Sequence, residues 1–434
     1  MNNIPSSRSL RLAALLCLVA AISFAGTATA TLSRGTPNLK SAGQLAFGPD
    51  GVLFVGDALG AAIFALDTQD TQPAASAARI EIKSIDEKIA AMLGTSPEQI
   101  LINDIKVNPI SKKIYLSVSR GRGPDAAAVI LRIDHAGKIS EFALDNVKFS
   151  MVSLPDAPES EPNATPKRSA EGQAAGNPRA WTITDLSYVD GKVIVAGVSN
   201  EEFSSDLRSI PFPFHGAEKG SAVEIWHSQH GRYETQAPVR TFIPYKIDQQ
   251  QYILATYACT PLVKMPVSAL KPGAKVEGET IAELGEHNTP LEMFPYRKDG
   301  HDYILVANSI RGVMKVSADS LGMYNPIVPT TSVCAAQREQ PTPTKWSSDE
   351  DAAKQTQPRQ RMGPKECRSE ISGVPYETIS TLKGVLHMAK ADDAQAVLLA
   401  DSAEGDTVVF AAGVAGIYTA KLKGSVDLKT ILLP

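Results

Sequence analysis

Residues 291–308 read LEMFPYRKDGHDYILVAN, two short apolar strands joined by Asp299-Gly300. An Asp-Gly pair between alternating apolar residues is typical of a tight β-hairpin turn. A near copy, RTFIPYKIDQQQYILATY, begins at Arg240. Self-similarity at a period of about 50 residues indicates a repeat architecture, in which each repeat is one supersecondary unit.

Four further units of this kind lie at 41–66, 101–133, 182–197 and 384–422. Their strands come in sets separated by turn residues, without alternating helices, which argues against a parallel sheet. The sequence therefore predicts an all-β fold, a six-bladed β-propeller of four-stranded antiparallel blades. Seven blades are possible if residues 308–384 contain another one. A pair of β-sandwiches is the alternative, but it does not explain the copied units.

Four stretches interrupt the repeats, near 82–100, 150–180, 203–221 and 333–372. In the first, Ile85, Ile89 and Met92 recur at helical spacing and predict a short helix. In the third, Phe212 and Phe214 lie on a loop that either covers the channel, contacts a partner or packs against the propeller.

The first 30 residues have the pattern of a secretory signal peptide. Arg8 and Arg11 precede an apolar run over 12–24, and Ala28-Thr29-Ala30 matches a cleavage signal. The run is too short to cross a bilayer comfortably, although an uncleaved anchor is the alternative. We therefore predict a periplasmic or secreted protein with no transmembrane span after cleavage, and one propeller domain over 31–434.

Composition and cysteine content fit that setting. Hydrophobic residues make up 43% and charged residues 21%, which is typical of a globular protein, and the net charge of −4 gives no sign of a nucleic-acid partner. The expected partner is a small-molecule substrate or a protein. In an oxidising compartment Cys334 and Cys367, which flank the polar insertion, are predicted to pair, and Cys259 to be a buried small hydrophobe.

The innermost strands of a propeller line a central channel, so the residues at their starts face one cavity. Aligning the units by their turns places six polar residues there: Gln44, Asp104, Asp185, Thr241, Glu292 and His387. Crowded carboxylates repel one another unless a cation lies between them, and an oxygen-rich cluster suits Ca²⁺. Alternatively, each Asp or Thr caps a turn by bonding the backbone.

The histidines leave two alternatives open. A second alignment makes Ala396 the start of the innermost strand and moves His387 to an outer strand. His227 and His230 lie in an apparent hairpin turn, WHSQHG, at a spacing that is compatible with a metal. The chain contains no serine nucleophile elbow, zinc-protease helix, P-loop or dinucleotide glycine fingerprint.

The segment Ile102-Asn103-Asp104-Ile105 resembles the calcium-ligand segment of the gluconolactonase and paraoxonase-like propellers, where an Asn-Asp pair opens an innermost strand. The hairpins at 51–66 and 304–316 also resemble that superfamily and the related NHL-type repeats. The resemblance implies calcium ligands at Asn103 and Asp104, with Asp185 and Glu292 as further carboxylates. The sequence departs from the family's usual Glu at Gln44.

These observations lead to the hypothesis of a calcium-dependent lactone or ester hydrolase. The ion would polarise a carbonyl oxygen, and His387 or a ring carboxylate such as Asp185 would act as general base. Gln44 and Thr241 would contact the substrate. The alternatives are a non-catalytic propeller that binds a protein or small ligand, and a quinone-dependent oxidoreductase.

Overall fold

The computed structural model describes residues 28–123, 125–160, 177–259, 261–285, 288–338, 362–369, 372–402, 409–412, 418–421 and 424–434. Residues 1–27, and with them nearly all of the predicted signal peptide, lie outside this set, as does most of the predicted polar insertion at 333–372. None of the helices in the described part of the chain has the length and hydropathy needed to cross a bilayer.

Strands dominate the described residues. The first ten are β1 (Ser33–Gly35), β2 (Leu45–Phe47), β3 (Val52–Asp57), β4 (Ala62–Asp67), β5 (Glu81–Ile82), β6 (Ile100–Val107), β7 (Ile114–Arg120), β8 (Ala127–Ile133), β9 (Ile139–Glu141) and β10 (Val147–Ser153). The next nine are β11 (Asp185–Val189), β12 (Lys192–Val198), β13 (Ser205–Pro211), β14 (Ser221–His227), β15 (Arg232–Glu234), β16 (Thr241–Ile247), β17 (Gln250–Thr256), β18 (Pro261–Pro266) and β19 (Lys275–Glu283).

The last ten are β20 (Pro290–Lys298), β21 (His301–Asn308), β22 (Gly312–Ser317), β23 (Ser372–Gly373), β24 (Tyr376–Ile379), β25 (Val385–Lys390), β26 (Gln395–Asp401), β27 (Val409–Ala412), β28 (Tyr418–Lys421) and β29 (Val426–Leu432). The α-helices are α1 (Ile85–Met92) and α2 (Ser332–Ala335), and α1 confirms the predicted short helix. Single 3₁₀ turns lie at Ala28–Thr31, Pro49–Gly51, Pro97–Gln99, Pro178–Trp181, Val267–Ala269, Leu321–Met323 and Lys365–Cys367.

The strands form six blades, which confirms the predicted propeller. From the innermost strand outward they are blade 1 (β2-β3-β4-β10), blade 2 (β6-β7-β8-β9), blade 3 (β11-β12-β13-β14), blade 4 (β16-β17-β18-β19), blade 5 (β20-β21-β22-β24) and blade 6 (β25-β26-β29-β5). Neighbouring strands within each blade are antiparallel. The described part of the stretch between 308 and 384 supplies the two outer strands of blade 5, β22 and β24, and the short β23 that pairs with β19 of blade 4, so these residues add no seventh blade.

The order of the blades around the ring differs from their order along the chain. The innermost strands are neighbours in the sequence β2, β11, β16, β20, β25, β6 and back to β2. Blade 1 thus lies between blades 2 and 3, and blade 2 lies between blades 1 and 6. Buried apolar clusters at each of the six contacts, such as Ala46 with Leu186 and Leu116 with Leu399, give the ring its core.

Strand exchange between blades accompanies this order. After β4 the chain leaves blade 1 and supplies β5, the outer strand of blade 6, where Ile82 pairs with Leu428. It then builds blade 2 and returns to complete blade 1 with β10, where Phe149 pairs with Leu66. The outer strands of blades 3 and 4 also pair with each other, in parallel, from Ala222 opposite Lys275 to Ile225 opposite Gly278.

The two copied units are equivalent hairpins. Asp299 and Gly300 both have positive φ, and so do Asp248 and Gln249 in the copy, which is the backbone that a type I′ turn requires. Tyr296 pairs with Tyr303 in one hairpin and Tyr245 with Tyr252 in the other.

Three sequence expectations need correction or completion. Residues 205–211 of the predicted insertion at 203–221 are the third strand of blade 3. Residues 147–153, which overlap the predicted insertion at 150–180, are the outer strand of blade 1. In the last unit, β27 and β28 pair only with each other among the described strands, and β29 takes the predicted place of the 407–410 strand.

The proposed disulfide is confirmed, since Cys334 and Cys367 are bonded with their Cα atoms 5.3 Å apart. Cys259 is buried, as predicted. Phe212 is buried between blades 1 and 3. Its ring packs edge-on against that of Phe54, with the ring centroids 4.9 Å apart, and Phe214 packs beside it. The loop therefore packs against the propeller, which is one of the three roles that the sequence left open.

Candidate functional site

The starts of the innermost strands open into one cavity of about 540 Å³, a size that suits a small-molecule ligand. Of the six aligned polar residues, five line it: Gln44, Asp104, Asp185, Glu292 and His387. His387 lies on β25, an innermost strand, so the alternative alignment that moved it outward is wrong. The predicted helical insertion forms part of the wall through Asp86, Glu87, Pro97 and Glu98.

Three of the strands bulge where they carry these side chains. The register shifts between Ile102 and Asp104 on β6, between Pro290 and Glu292 on β20, and between Val385 and His387 on β25. A bulge inserts one unpaired residue and re-aims the next side chain, and bulges are common beside active sites. Asp104, Glu292 and His387, each directly after a bulge, come close enough together to share an ion.

A lysine that the sequence analysis missed joins these groups. Lys106 Nζ lies 2.8 Å from Asp104 Oδ1 and 3.3 Å from Glu292 Oε2. Lys106 follows Asp104 by two positions, and side chains two apart on a strand share a face. The alternation places the Lys106 side chain one step deeper in the same channel, but only once the strand and its register are known.

Asp104 is nearly fully buried and bonded on both oxygens. Its Oδ2 accepts from the backbone N–H of Leu45 at 2.7 Å, and its Oδ1 accepts from that of Ile105 at 2.6 Å and from Lys106. Burial raises the pKa of Asp104 to about 7, with nearby Glu292 adding to the rise and Lys106 opposing it. The carboxyl group therefore gains and loses its proton near neutral pH. Its bond to Leu45 also connects blade 2 to blade 1.

Asp185 has the same role between blades 3 and 4. Its Oδ2 accepts from the Thr241 hydroxyl at 2.9 Å and from the N–H of Phe242 at 2.8 Å, and its Oδ1 accepts from the N–H of Leu186. Burial raises the pKa of Asp185 to about 6, against the charge of Lys106. Thr241 is buried behind this carboxylate and is absent from the cavity wall, so its hydroxyl orients Asp185.

Glu292 and His387 form the pair that faces the cavity. His387 Nδ1 lies 3.2 Å from Glu292 Oε1, and a fifth of the His387 side chain is exposed. Burial opposes ionisation of Glu292, but Lys106 and His387 outweigh it and hold its pKa below the usual range. The ionised carboxylate accepts a hydrogen bond from Nδ1–H, which leaves the lone pair of His387 on Nε2 at the opposite ring edge.

The described residues do not fit the predicted Ca²⁺ site well. Asn103 has a buried Oδ1 with no hydrogen-bond partner, which would suit a hard cation. However, Asp104 and Asp185 already accept several protein hydrogen bonds, and the Lys106 ammonium lies between Asp104 and Glu292. A calcium ion bound there would have to displace Lys106, so the calcium assignment stays a prediction.

Comparisons with known proteins leave the function open. No protein-family model and no curated protein matches the sequence. Solved structures that resemble the chain include the mitotic checkpoint complex, at TM-score 0.34 and 8% identity over 93% of this chain and 96% of that one.

Two enzyme structures also resemble it. The PQQ-bound aldose sugar dehydrogenase of Streptomyces coelicolor has TM-score 0.30 and 10% identity over 92% of this chain and 97% of that one. The periplasmic gluconolactonase of Pseudomonas aeruginosa has TM-score 0.30 and 11% identity over 78% and 90%. These scores are too low to carry an argument about activity, and the propeller architecture follows from the strand pairing of the chain itself.

Proposed function

We propose that the channel mouth hydrolyses a lactone or ester, with His387 as the general base. The observation that carries the proposal is the contact between His387 Nδ1 and the ionised Glu292 in the cavity wall. A carboxylate that holds one imidazole nitrogen fixes the tautomer and leaves the other nitrogen free to take a proton.

The reaction follows from this pair. His387 Nε2 removes a proton from water, the hydroxide oxygen bonds to the carbonyl carbon, and the bond to the leaving alkoxide oxygen breaks. The imidazolium then returns its proton to that alkoxide, so an ester gives a carboxylic acid and an alcohol, and a lactone gives one hydroxy acid. Lys106 acts as a positioning residue, because its charge keeps Glu292 ionised.

The charge of the wall favours a neutral, hydroxyl-rich substrate. The wall has two arginines, Arg122 and Arg240, and a larger number of carboxylates, which can accept hydrogen bonds from hydroxyl groups: Asp86, Glu87, Glu98, Asp104, Asp185 and Glu292. Hydrolysis converts such a substrate into a carboxylate. Because like charges repel, the acidic wall then promotes release of the product.

The test is hydrolysis of a panel of sugar lactones and short esters by purified protein. We expect His387→Gln to lower kcat by about 100-fold or more, the usual contribution of a general base. His301→Gln is the matched control, since His301 pairs with Asp319 at 2.6 Å on the exposed surface. We expect it to leave kcat unchanged.

Two outcomes would contradict the proposal: a wild type that hydrolyses no member of the panel, or a folded His387→Gln variant with full activity. Chelation separates this mechanism from the predicted calcium-dependent one. If His387 and Glu292 act without a metal, the protein keeps its hydrolytic activity in EDTA. If the reaction depends on Ca²⁺, EDTA abolishes the activity. A wild type that binds these lactones without turnover would point to the ligand-binding alternative.

A further inference from the structure

A second group of titratable side chains lies far out on the propeller, at the seam where blades 3 and 4 share their outer strands. It consists of His227, His230, Glu234 and Glu283, all buried, and we call it the seam cluster. His227 is the last residue of β14 and Glu283 the last of β19, and these strands are parallel neighbours. In the sequence the two histidines lie in an apparent turn, at a spacing that is compatible with a metal.

One carboxylate holds both imidazole rings. Glu234 Oε2 lies 3.0 Å from His227 Nδ1, and its Oε1 lies 2.6 Å from His230 Nδ1. The ring centroids are 3.8 Å apart and the planes are tilted by 33°. Since both rings present Nδ1 to the same carboxylate, both turn their Nε2 edges away from it. Histidines that bind metals usually donate their other ring N–H to a carboxylate in this way.

Two buried polar atoms on the far side lack partners. His227 Nε2 and Glu283 Oε2 form no hydrogen bond, and both side chains are fully buried. They lie 3.8 Å apart, which is too long for a hydrogen bond. Two ligands of one tetrahedral Zn²⁺, each about 2.0–2.2 Å from the ion, lie about 3.3–3.6 Å apart. The gap is therefore within about 0.5 Å of the separation that a shared ion sets.

We propose that the seam cluster binds a divalent transition-metal ion, with Zn²⁺ the best fit to its nitrogen and oxygen ligands. His227 Nε2 and Glu283 Oε2 are two of the ligands, and His230, whose ligand atom lies within 4.8 Å of those of His227 and Glu234, is the third. Glu234 orients both rings from behind, and Ser228 fixes Glu283 by donating its N–H and hydroxyl to Oε1 at 2.8 and 2.7 Å.

The surroundings give the ion a structural role. Gly363 donates its N–H to the carbonyl of His230, and Ser369 donates its N–H to that of Ser228, so the segment beside the disulfide covers the cluster. Cys334 and Cys367 pack against Trp226, next to His227. A bound ion would join the ends of β14 and β19 beneath this cover and lock blades 3 and 4 together.

The experiment uses the full chain without an affinity tag. The protein is loaded with Zn²⁺, passed through gel filtration and analysed for metal content, and its Tm is measured with and without Zn²⁺. We expect one Zn²⁺ per chain and a higher Tm in its presence. Co²⁺ in the same site should give visible absorption bands, which report directly on the ligands.

Variants assign the ion to the seam cluster. Glu283→Gln keeps the shape of the side chain, and we expect it to weaken Zn²⁺ binding by about 100-fold or more. Glu234→Gln should weaken it by about 10- to 100-fold, the usual effect of losing a group that orients a ligand. Glu292→Gln is the control, because it removes a carboxylate of the central channel and should leave Zn²⁺ binding intact.

The proposal fails if the wild type retains no Zn²⁺, or if Glu283→Gln and His230→Gln bind it as the wild type does. It also fails if Glu292→Gln abolishes binding, since the ion would then belong to the channel. His230 is slightly exposed, so its variant still reports on the site if Glu283→Gln does not fold.

Discussion

At the scale of single residues, Lys106 determines how three carboxylates share one channel. Its ammonium contacts Asp104 and Glu292 directly and, from a greater distance, opposes the rise that burial causes in the pKa of Asp185. The sequence alone identified the carboxylates, because polar residues before apolar strand cores stand out. It did not identify their partner, since one lysine among many has no distinctive pattern until the strand register is known.

Replacing Lys106 by Met should therefore destabilise the protein strongly. Removing one partner of a buried ion pair costs about 3–5 kcal/mol, because the remaining charges stay buried without compensation. The loss should be largest above about pH 7, where Asp104 and Asp185 are ionised, and smaller near pH 5, where they bind protons. Urea unfolding at the two pH values measures this difference.

The matched variant is the double substitution Lys106→Met with Asp104→Asn. It removes one buried negative charge together with the positive one, so we expect it to recover part of the lost stability at high pH. A destabilisation by Lys106→Met that is equal at both pH values would show that the ammonium does not compensate these carboxylates.

At the scale of elements, bulges and a shared seam explain what the repeat pattern could not predict. The hairpins of blades 4 and 5 were readable, since alternation and turn residues recur in both. The bulges at β6, β20 and β25 were not readable, because one extra residue in a strand leaves no sequence mark. The parallel pairing of β14 with β19 joins residues of two repeats, and local patterns carry no information about such contacts.

The seam depends on a close approach at Gly278. A Cβ there would lie 2.5 Å from Val263 Cγ1 and 3.2 Å from Ile225 Cγ2. We expect Gly278→Ala to reduce the free energy of unfolding by about 1–3 kcal/mol, the usual cost of overpacking a core. Chemical denaturation measures it.

Val263→Ala provides the control, because it removes the methyl groups that the new Cβ meets. The double variant Gly278→Ala with Val263→Ala should lose less stability than the sum of the two single variants. Strict additivity would mean that the seam adjusts without contact between these positions.

At the scale of the whole molecule, the ring closes through strands that are distant in sequence. The fold class and the number of blades could be predicted, since each repeat is local. The order of the blades could not, because β5 and β10 are short and belong to blades built elsewhere in the chain. In the chain, β5 lies between the strands of blade 1 and those of blade 2. Its pairing with β29 therefore joins blade 6 to that segment.

Leu428 tests that closure. It is fully buried, pairs with Ile82 and packs in the cluster shared by blades 2 and 6. Leu428→Ala should cost about 2–5 kcal/mol, the usual range for such a truncation in a core. Lys429→Ala, the next residue on the opposite strand face, should change the free energy of unfolding by less than about 0.5 kcal/mol. If Leu428→Ala changes the free energy of unfolding as little as Lys429→Ala does, the pairing of β29 with β5 contributes little to the stability of the protein.

The interrupted construction of blade 1 has a consequence during synthesis. A chain that emerges from its N-terminus exposes the outer edge of β4 until residues 147–153 arrive, after all of blade 2 has been made. An unpaired strand edge readily recruits other chains. The nascent protein therefore passes through a long interval of vulnerability to aggregation, in which a chaperone that shields open edges would raise the yield of folded molecules.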